Sequence, residues 1–175
     1  GKPLARYWLH NGFVTVNGEK MAKSLGNFVT IRDALGRFSP EALKLLLLST
    51  NYRGPLDYSE SAVHEKAKAL TGIQDFLRAV GRLGVAISPP GANGSSAGGP
   101  PSEDGHPAEL VFRAAMDDDF NTARATGVLF DLVREGNRLL HEAGLKASVL
   151  PALRETAALL RRLGAVLGLK LGEGS

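Results

Sequence analysis

The chain has 175 residues, 43% hydrophobic and 22% charged, with no cysteine and a formal net charge of +3. That composition can bury a core and excludes wholesale disorder, and without cysteine there is no disulfide, thiol nucleophile or Cys-ligated metal site in the chain. No apolar run approaches the roughly 20 residues that cross a bilayer, and the Gly1-Lys2-Pro3-Leu4 start lacks a signal peptide's apolar stretch, so the expectation is a cytoplasmic protein with no membrane partner.

The charge is uneven. Residues 1–83 carry 12 basic and 7 acidic side chains, whereas residues 106–175 carry 9 of each. A basic front half is compatible with a phosphate-rich partner, and equally with an ordinary solvated surface.

In chain order, Gly12-Phe13-Val14-Thr15-Val16-Asn17-Gly18 reads as a short strand ending in an Asn-Gly turn. A loop is expected from there to about Asn27. Thr30 with Asp33 three residues on is an approximate capping box, opening a short helix through Leu35. Ser39-Pro40-Glu41 is a second helix start, with a capping hydroxyl, a first-turn proline and an acid at the positive end of the dipole. That helix runs through Leu45–Leu48, and residues 51–58 are expected to be a loop. Ser59 opens a third helix, whose inward stripe is Val63, Ala67, Leu70, Ile73, Leu77 and Val80.

Residues 84–107 are rich in Pro, Gly and Ser, and a flexible linker is predicted at about 88–105. Pro107 then opens a helix to about Met116. The next begins near Asn121 or Thr122, carries Ala125, Val128, Leu129, Leu132, Val133, Leu139 and Leu140 on one face, and has Gly144 as its stop. A last helix from about Pro151 to Val166 turns Leu153, Leu160 and Leu163 inward. The fold class is mainly α, with a short strand and a loop in front and an antiparallel helix bundle behind.

The string Lys20-Met21-Ala22-Lys23-Ser24-Leu25-Gly26-Asn27 places two lysines three apart in a loop between a strand and a capped helix. Gly26 and Asn27 give the backbone latitude to move. Ammonium groups on such a loop can close on a bound triphosphate and neutralise charge that grows as pyrophosphate leaves. A solvated basic turn is the plain alternative. His10, beside an aromatic and ahead of a strand, reads as a packed core residue. Asp117, Asp118 and Asp119 read better as acids before a new helix than as a hard-metal site. Arg53, Tyr52 and Tyr58 form a basic–aromatic cluster, and tyrosine with its polar tip suits bracing the bundle against the front. Arg154, Arg161 and Arg162 make a basic helix face, open to a phosphate-rich partner or simply to solvent.

The lysine string resembles the KMSKS signature of class I aminoacyl-tRNA synthetases in four of five positions, with Ala22 in place of the middle serine. Three further segments resemble cysteinyl-tRNA synthetases in particular. Tyr7-Trp8-Leu9-His10-Asn11-Gly12 is similar to that family's YWMHSG, and Asn51-Tyr52-Arg53-Gly54-Pro55-Leu56-Asp57-Tyr58-Ser59 to its HYRSPLNYS. Ala115-Met116-Asp117-Asp118-Asp119-Phe120-Asn121-Thr122, with Val128-Leu129-Phe130-Asp131 downstream, is similar to AMDDDFNTPEA…VLFD. Ala123 replaces the family's proline.

The resemblance implies a C-terminal portion of such an enzyme. Residues 1–58 would be the end of its Rossmann-type catalytic domain, and 59–170 a DALR-type tRNA-binding bundle interrupted by the linker. The intact enzyme would join cysteine to ATP, with Mg2+, as cysteinyl-adenylate, and pass it to tRNA(Cys). The resemblance makes Lys20 and Lys23 catalytic, assigns ATP binding to Lys20, Met21, Ala22, Lys23 and Ser24, and places His10 in the amino-acid pocket. It leaves Arg53, Arg154, Arg161 and Arg162 as candidate tRNA contacts. The family's zinc ligands and His-Ile-Gly-His motif are absent from this chain, which implies a missing N-terminal catalytic half, no metal held here, and no cysteine activation by the chain alone. Two alternatives stay open: the related cysteine ligase of mycothiol biosynthesis, and a non-catalytic RNA-binding or regulatory remnant.

Overall fold

A computed structural model describes residues 4–84, 105–143 and 146–172. Strand β1 (Val14–Val16) turns at Asn17-Gly18 and returns as β2 (Glu19–Lys20), pairing Thr15 with Lys20 and Val16 with Glu19. Both turn residues have positive φ, 53° and 82°. A tight hairpin whose twist matches its strands needs that pair, and Asn-Gly adopts it with little strain. Asp57 clasps the turn, its Oδ1 accepting from the Gly18 N–H and the Thr15 hydroxyl, each at 2.7 Å.

Strand β3 (Leu56–Tyr58) runs parallel to the other edge of β1, Val14 opposite Leu56 and Val16 opposite Tyr58, so the sheet order is β2-β1-β3. This corrects the loop expected over 51–58. Three residues are too few to show alternation, and a parallel partner far back in the sequence leaves no local signal. The loop expected up to Asn27 likewise contains β2 and a 3-10 turn, Lys23–Leu25.

Side-chain caps set the helix starts as the sequence predicts. Thr30 and Asp33 form a complete capping box on α1 (Ile31–Leu35). The hydroxyls of Ser39 and Ser59 accept from the Ala42 and Ala62 amides at the heads of α2 (Pro40–Leu48) and α3 (Glu60–Arg82). Each cap satisfies an amide that the first turn leaves without a partner.

The 23-residue α3 serves two cores. Near its start Val63 packs with Ala42 and Leu46 of α2. Further on, Leu70, Ile73, Phe76, Leu77 and Val80 enter the main core, which they share with α4 (Pro107–Asp117), α5 (Thr122–Ala143) and α6 (Leu150–Val166). Phe76 was not on the predicted stripe, yet its ring is almost wholly enclosed. It lies against Gly136 of α5, where a Cβ would come within 2.3 Å of the Phe76 Cζ. That contact accounts for a glycine in mid-helix, where it costs about 1 kcal/mol relative to alanine. Ala67 and Leu140 of the predicted stripes are only half-buried.

The Gly144 stop lies outside the described residues, as does the predicted linker apart from Gly105. Among the described residues no helix is long and apolar enough to cross a membrane.

Candidate functional site

The two-lysine segment is shaped by backbone bonds and one side chain. β2 ends at Lys20, and the Met21 N–H donates to the Val14 carbonyl at 3.3 Å. The chain then closes a single tight turn, Leu25 donating to Ala22 and Gly26 to Lys23, with Gly26 at φ 66°. Asn27 fastens the base of this turn. Its Oδ1 accepts from the Ala22 N–H at 2.9 Å, and its Nδ2 donates to the Lys20 carbonyl at 3.1 Å. The sequence suggests latitude at Asn27, and the structure shows a clamp instead. Asparagine commonly bonds nearby backbone in this way, which is the signal that could have found it.

The lysines themselves are exposed and rest on aromatic faces. Lys20 Nζ is 5.7 Å from the centroid of Phe13, and Lys23 Nζ is 5.5 Å from that of Phe28. Exposed cation–π contacts of this kind contribute only about 0.5–1 kcal/mol, so both ammonium groups leave at little cost for a stronger anion. Beside the loop opens a hollow of about 550 Å³ lined by Met21, Phe28, Val29, Thr30, Ile31 and Arg32. Arg32 adds a third cation that sequence reading missed, since nothing in its immediate neighbourhood marks it.

His10 is neither enclosed in a pocket nor packed in a core. It lies exposed on an extended segment with Tyr7, Trp8 and Leu9, which are also exposed. The Gly12 N–H at the end of that segment donates to the Tyr52 carbonyl at 2.7 Å. The two backbones meet so closely that a Cβ on Gly12 would lie 2.0 Å from the Gly54 oxygen.

The four candidate RNA-facing arginines differ in what they touch. Arg53 donates from Nε to Asp119 Oδ2 at 2.6 Å and from Nη2 to Oδ1 at 3.1 Å, while the Tyr52 hydroxyl donates to Oδ1 at 2.9 Å. The guanidinium also lies 5.1 Å from the Tyr52 ring centroid. These bonds hold the Asp119 carboxyl below its ordinary pKa, Arg53 contributing most, and they favour the bracing reading of the cluster. Partial burial, together with the bond to Asp119, pushes the Tyr52 phenol up.

Arg162 is committed to Glu109 of α4 through two bonds of 2.7 Å. Arg161 turns toward the Gly172 carbonyl. Of the predicted basic helix face only Arg154 stands exposed with no partner among the described residues. Arg53 and Arg162 are thus engaged by carboxylates and Arg161 by a backbone carbonyl.

Asp117, Asp118 and Asp119 sit at the corner between α4 and α5, where Asp119 and Phe120 have φ of 51° and 52°. Asn121 caps α5, its Oδ1 accepting from the Arg124 N–H. Among the described residues no three His, Cys, Asp or Glu side chains converge as a metal site.

Two family models match separate stretches of the chain. A family model described as the tRNA synthetases class I (C) catalytic domain matches residues 1–68, and one described as the DALR domain matches residues 111–172. The cysteine–tRNA ligase of Geobacter sulfurreducens is 46% identical over 99% of this chain and 35% of its own length. That of Syntrophotalea carbinolica is 46% identical over 97% of the chain and 34% of its own length. That of Pseudomonas paraeruginosa is 44% identical over 96% and 32%. The chain spans about a third of the length of the curated relatives it matches.

Proposed function

The chain belongs to the cysteinyl-tRNA synthetase family, and from that membership we propose that it is the part of a cytoplasmic cysteine–tRNA ligase that carries the ATP loop and the tRNA-binding helices. Residues 1–58 belong to the catalytic domain, and 59–170 form the bundle that receives tRNA(Cys). The observation that carries this reading is the loop itself: two exposed lysines held by weak contacts to Phe13 and Phe28, on a turn whose base is clamped by Asn27.

In the whole protein, the cysteine carboxylate attacks the α-phosphate of ATP and pyrophosphate leaves, giving cysteinyl-adenylate. A hydroxyl of the tRNA terminal ribose then attacks the cysteinyl carbonyl, forming an ester as the acyl–phosphate bond breaks and AMP leaves. Charge accumulates on the departing pyrophosphate, where Lys23 and, to a lesser degree, Lys20 stabilise it. Met21, Ala22 and Ser24 shape the loop around the triphosphate. ATP arrives with Mg2+, which no carboxylate cluster among the described residues is built to hold. Zinc, which the resemblance places in the intact enzyme, does not fit the described residues of this chain, among which no group of three His, Cys, Asp or Glu side chains converges.

The rest of the protein completes the amino-acid pocket around His10. The exposed face of Leu4, Tyr7, Trp8, Leu9 and Phe13 is the surface it covers.

The test is single-turnover adenylate formation by the intact protein with saturating ATP and cysteine. Lys23→Ala should slow it by about 10²–10³, the usual cost of removing one preorganised charge-stabilising group, while weakening cysteine binding far less. Lys20→Ala should do less, and Lys23→Arg should rescue only in part. Residues 1–175 alone should show no cysteine-dependent pyrophosphate exchange. Adenylate formation at near wild-type rate in Lys23→Ala, with transfer to tRNA lost, would assign the lysine to RNA and refute the ATP reading.

A further inference from the structure

Arg53, Tyr52 and Asp119 tie the front of the molecule to the bundle at the surface. Arg53 and Asp119 keep 63% and 46% of their side-chain surface exposed, and an ion pair so exposed adds little to stability. Its geometry is nevertheless costly to build. Asp119 and the following Phe120 both occupy the left-handed region, which non-glycine residues seldom adopt. That corner aims the Asp119 carboxylate at the 51–54 turn, where it receives a two-point guanidinium contact and a phenol. Such a contact is directional as well as attractive.

The 51–54 turn is not a free loop. Gly12 donates to Tyr52, Leu56 donates to Phe13 at 2.9 Å, and β3 continues the pairing along β1. The turn is therefore one body with β1, and through the hairpin with the start of the Lys20–Lys23 loop. On the other side, Asp119 belongs to the corner joining α4 to α5. α3 and α2 provide the second connection between front and bundle, with Leu45 in the main core and Lys44 Nζ bonded to the Gly168 carbonyl at 2.9 Å. Two separated connections fix an angle where one would leave a hinge.

We propose that Arg53 and Asp119 are positioning residues that set the angle between the sheet bearing the lysine loop and the helix bundle, so that an RNA held on the bundle meets the loop in register. The register rests on the functional reading above, whereas the brace does not. Arg53 then serves RNA transfer through Asp119 and touches no phosphate itself.

The experiment uses the intact protein with Arg53→Ala, Asp119→Ala, the double variant and Arg53→Lys. Three quantities are measured: cysteine-dependent pyrophosphate exchange, single-turnover transfer to tRNA, and hydrogen exchange of the amides in 51–54 and 118–121. Pyrophosphate exchange should stay within about twofold of wild type, while transfer falls about five- to tenfold in each single variant. The double variant should be no worse than either single one, since both break the same contact. Arg53→Lys should recover part of the loss, and hydrogen exchange should quicken in both segments whichever partner is removed.

A transfer defect in Arg53→Ala without one in Asp119→Ala overturns the proposal in favour of a direct phosphate contact. Parallel loss of pyrophosphate exchange and transfer overturns it in favour of a role in the catalytic fold, and no change in either leaves only a surface ion pair. Absence of any transfer in the unmodified protein defeats the functional reading and the register with it. Unchanged hydrogen exchange in the variants defeats the brace, so the two failures are told apart.

Discussion

The front segment and the helix bundle solve the same problem in opposite ways. Leu4, Tyr7, Trp8, Leu9 and Phe13 each leave 57% to 91% of their surface exposed, whereas Ile73, Phe76, Leu129, Leu153 and Leu160 leave 1% or less. The bundle is held by burial of long apolar stripes. The front is held by local chemistry: an Asn-Gly turn, the Thr30–Asp33 box, the Ser39 cap and the Asn27 clamp. Strands of three, two and three residues and a five-residue helix bury too little to offset the conformational entropy of ordering them. The bundle thus carries its own stability, and the front draws on what it packs against.

The sharpest way to probe that contrast is Phe76→Ala. Emptying the ring's site against Gly136 should lower the bundle's stability by about 3–5 kcal/mol, read as the helical signal in denaturant unfolding. A loss below about 1 kcal/mol would show that the bundle is not held chiefly by this core.

Gly12→Ala attacks the front instead, because the added methyl collides with the Gly54 carbonyl and neither backbone can yield cheaply. It should cost about 1–3 kcal/mol, confined to the sheet. The Leu56 amide should exchange faster while the helical midpoint stays in place. A drop in that midpoint matching the Phe76→Ala drop would make the two regions one cooperative unit.

The smallest effect is electrostatic and tests how the bundle closes. Arg162 holds Glu109 below the ordinary glutamate value of 4.5, its hydrogen bonds being the largest cause. Because the folded pKa is depressed, the pair's contribution is fully present above that ordinary value and is lost as pH falls through the depressed one. In Arg162→Ala the Glu109 titration midpoint, followed by NMR, should rise toward its ordinary value. A midpoint that does not move would show that α4 and α6 do not share this pair in solution.

What the sequence made legible divides along the same line. Ser39, Ser59, Thr30 and Asp33 declare themselves because a cap and its target lie within three residues. The leucine stripes declare themselves through their period. β3 was unreadable because its partner lies 42 positions earlier. Phe76 sits three residues after Ile73 and four before Val80, so the period admits it to the stripe; what the sequence hides is the facing Gly136 that makes room for its ring. At the site, the lysine string was evident and the role of Asn27 was not, since asparagine suits both a loose turn and a clamp. The Tyr52–Arg53 brace could be inferred as a kind of contact, but its partner Asp119 lies 66 positions on from Arg53 and carries no mark distinguishing it from its two acidic neighbours.

The Asp57 clasp gives the molecule an order in time. A chain made from its N-terminus presents the Asn17-Gly18 hairpin before the carboxylate that will hold it, which follows Gly18 by 39 residues. Until then the hairpin has only its own short pairing, and an isolated two-stranded ribbon is at best marginal in water. The Thr30 and Ser39 caps wait for nothing beyond the next turn of chain. The short helices those caps open, α1 and α2, still wait like the hairpin for the later helices they pack against, so the segment bearing Lys20 and Lys23 takes its final shape only once the scaffold behind it has been synthesised.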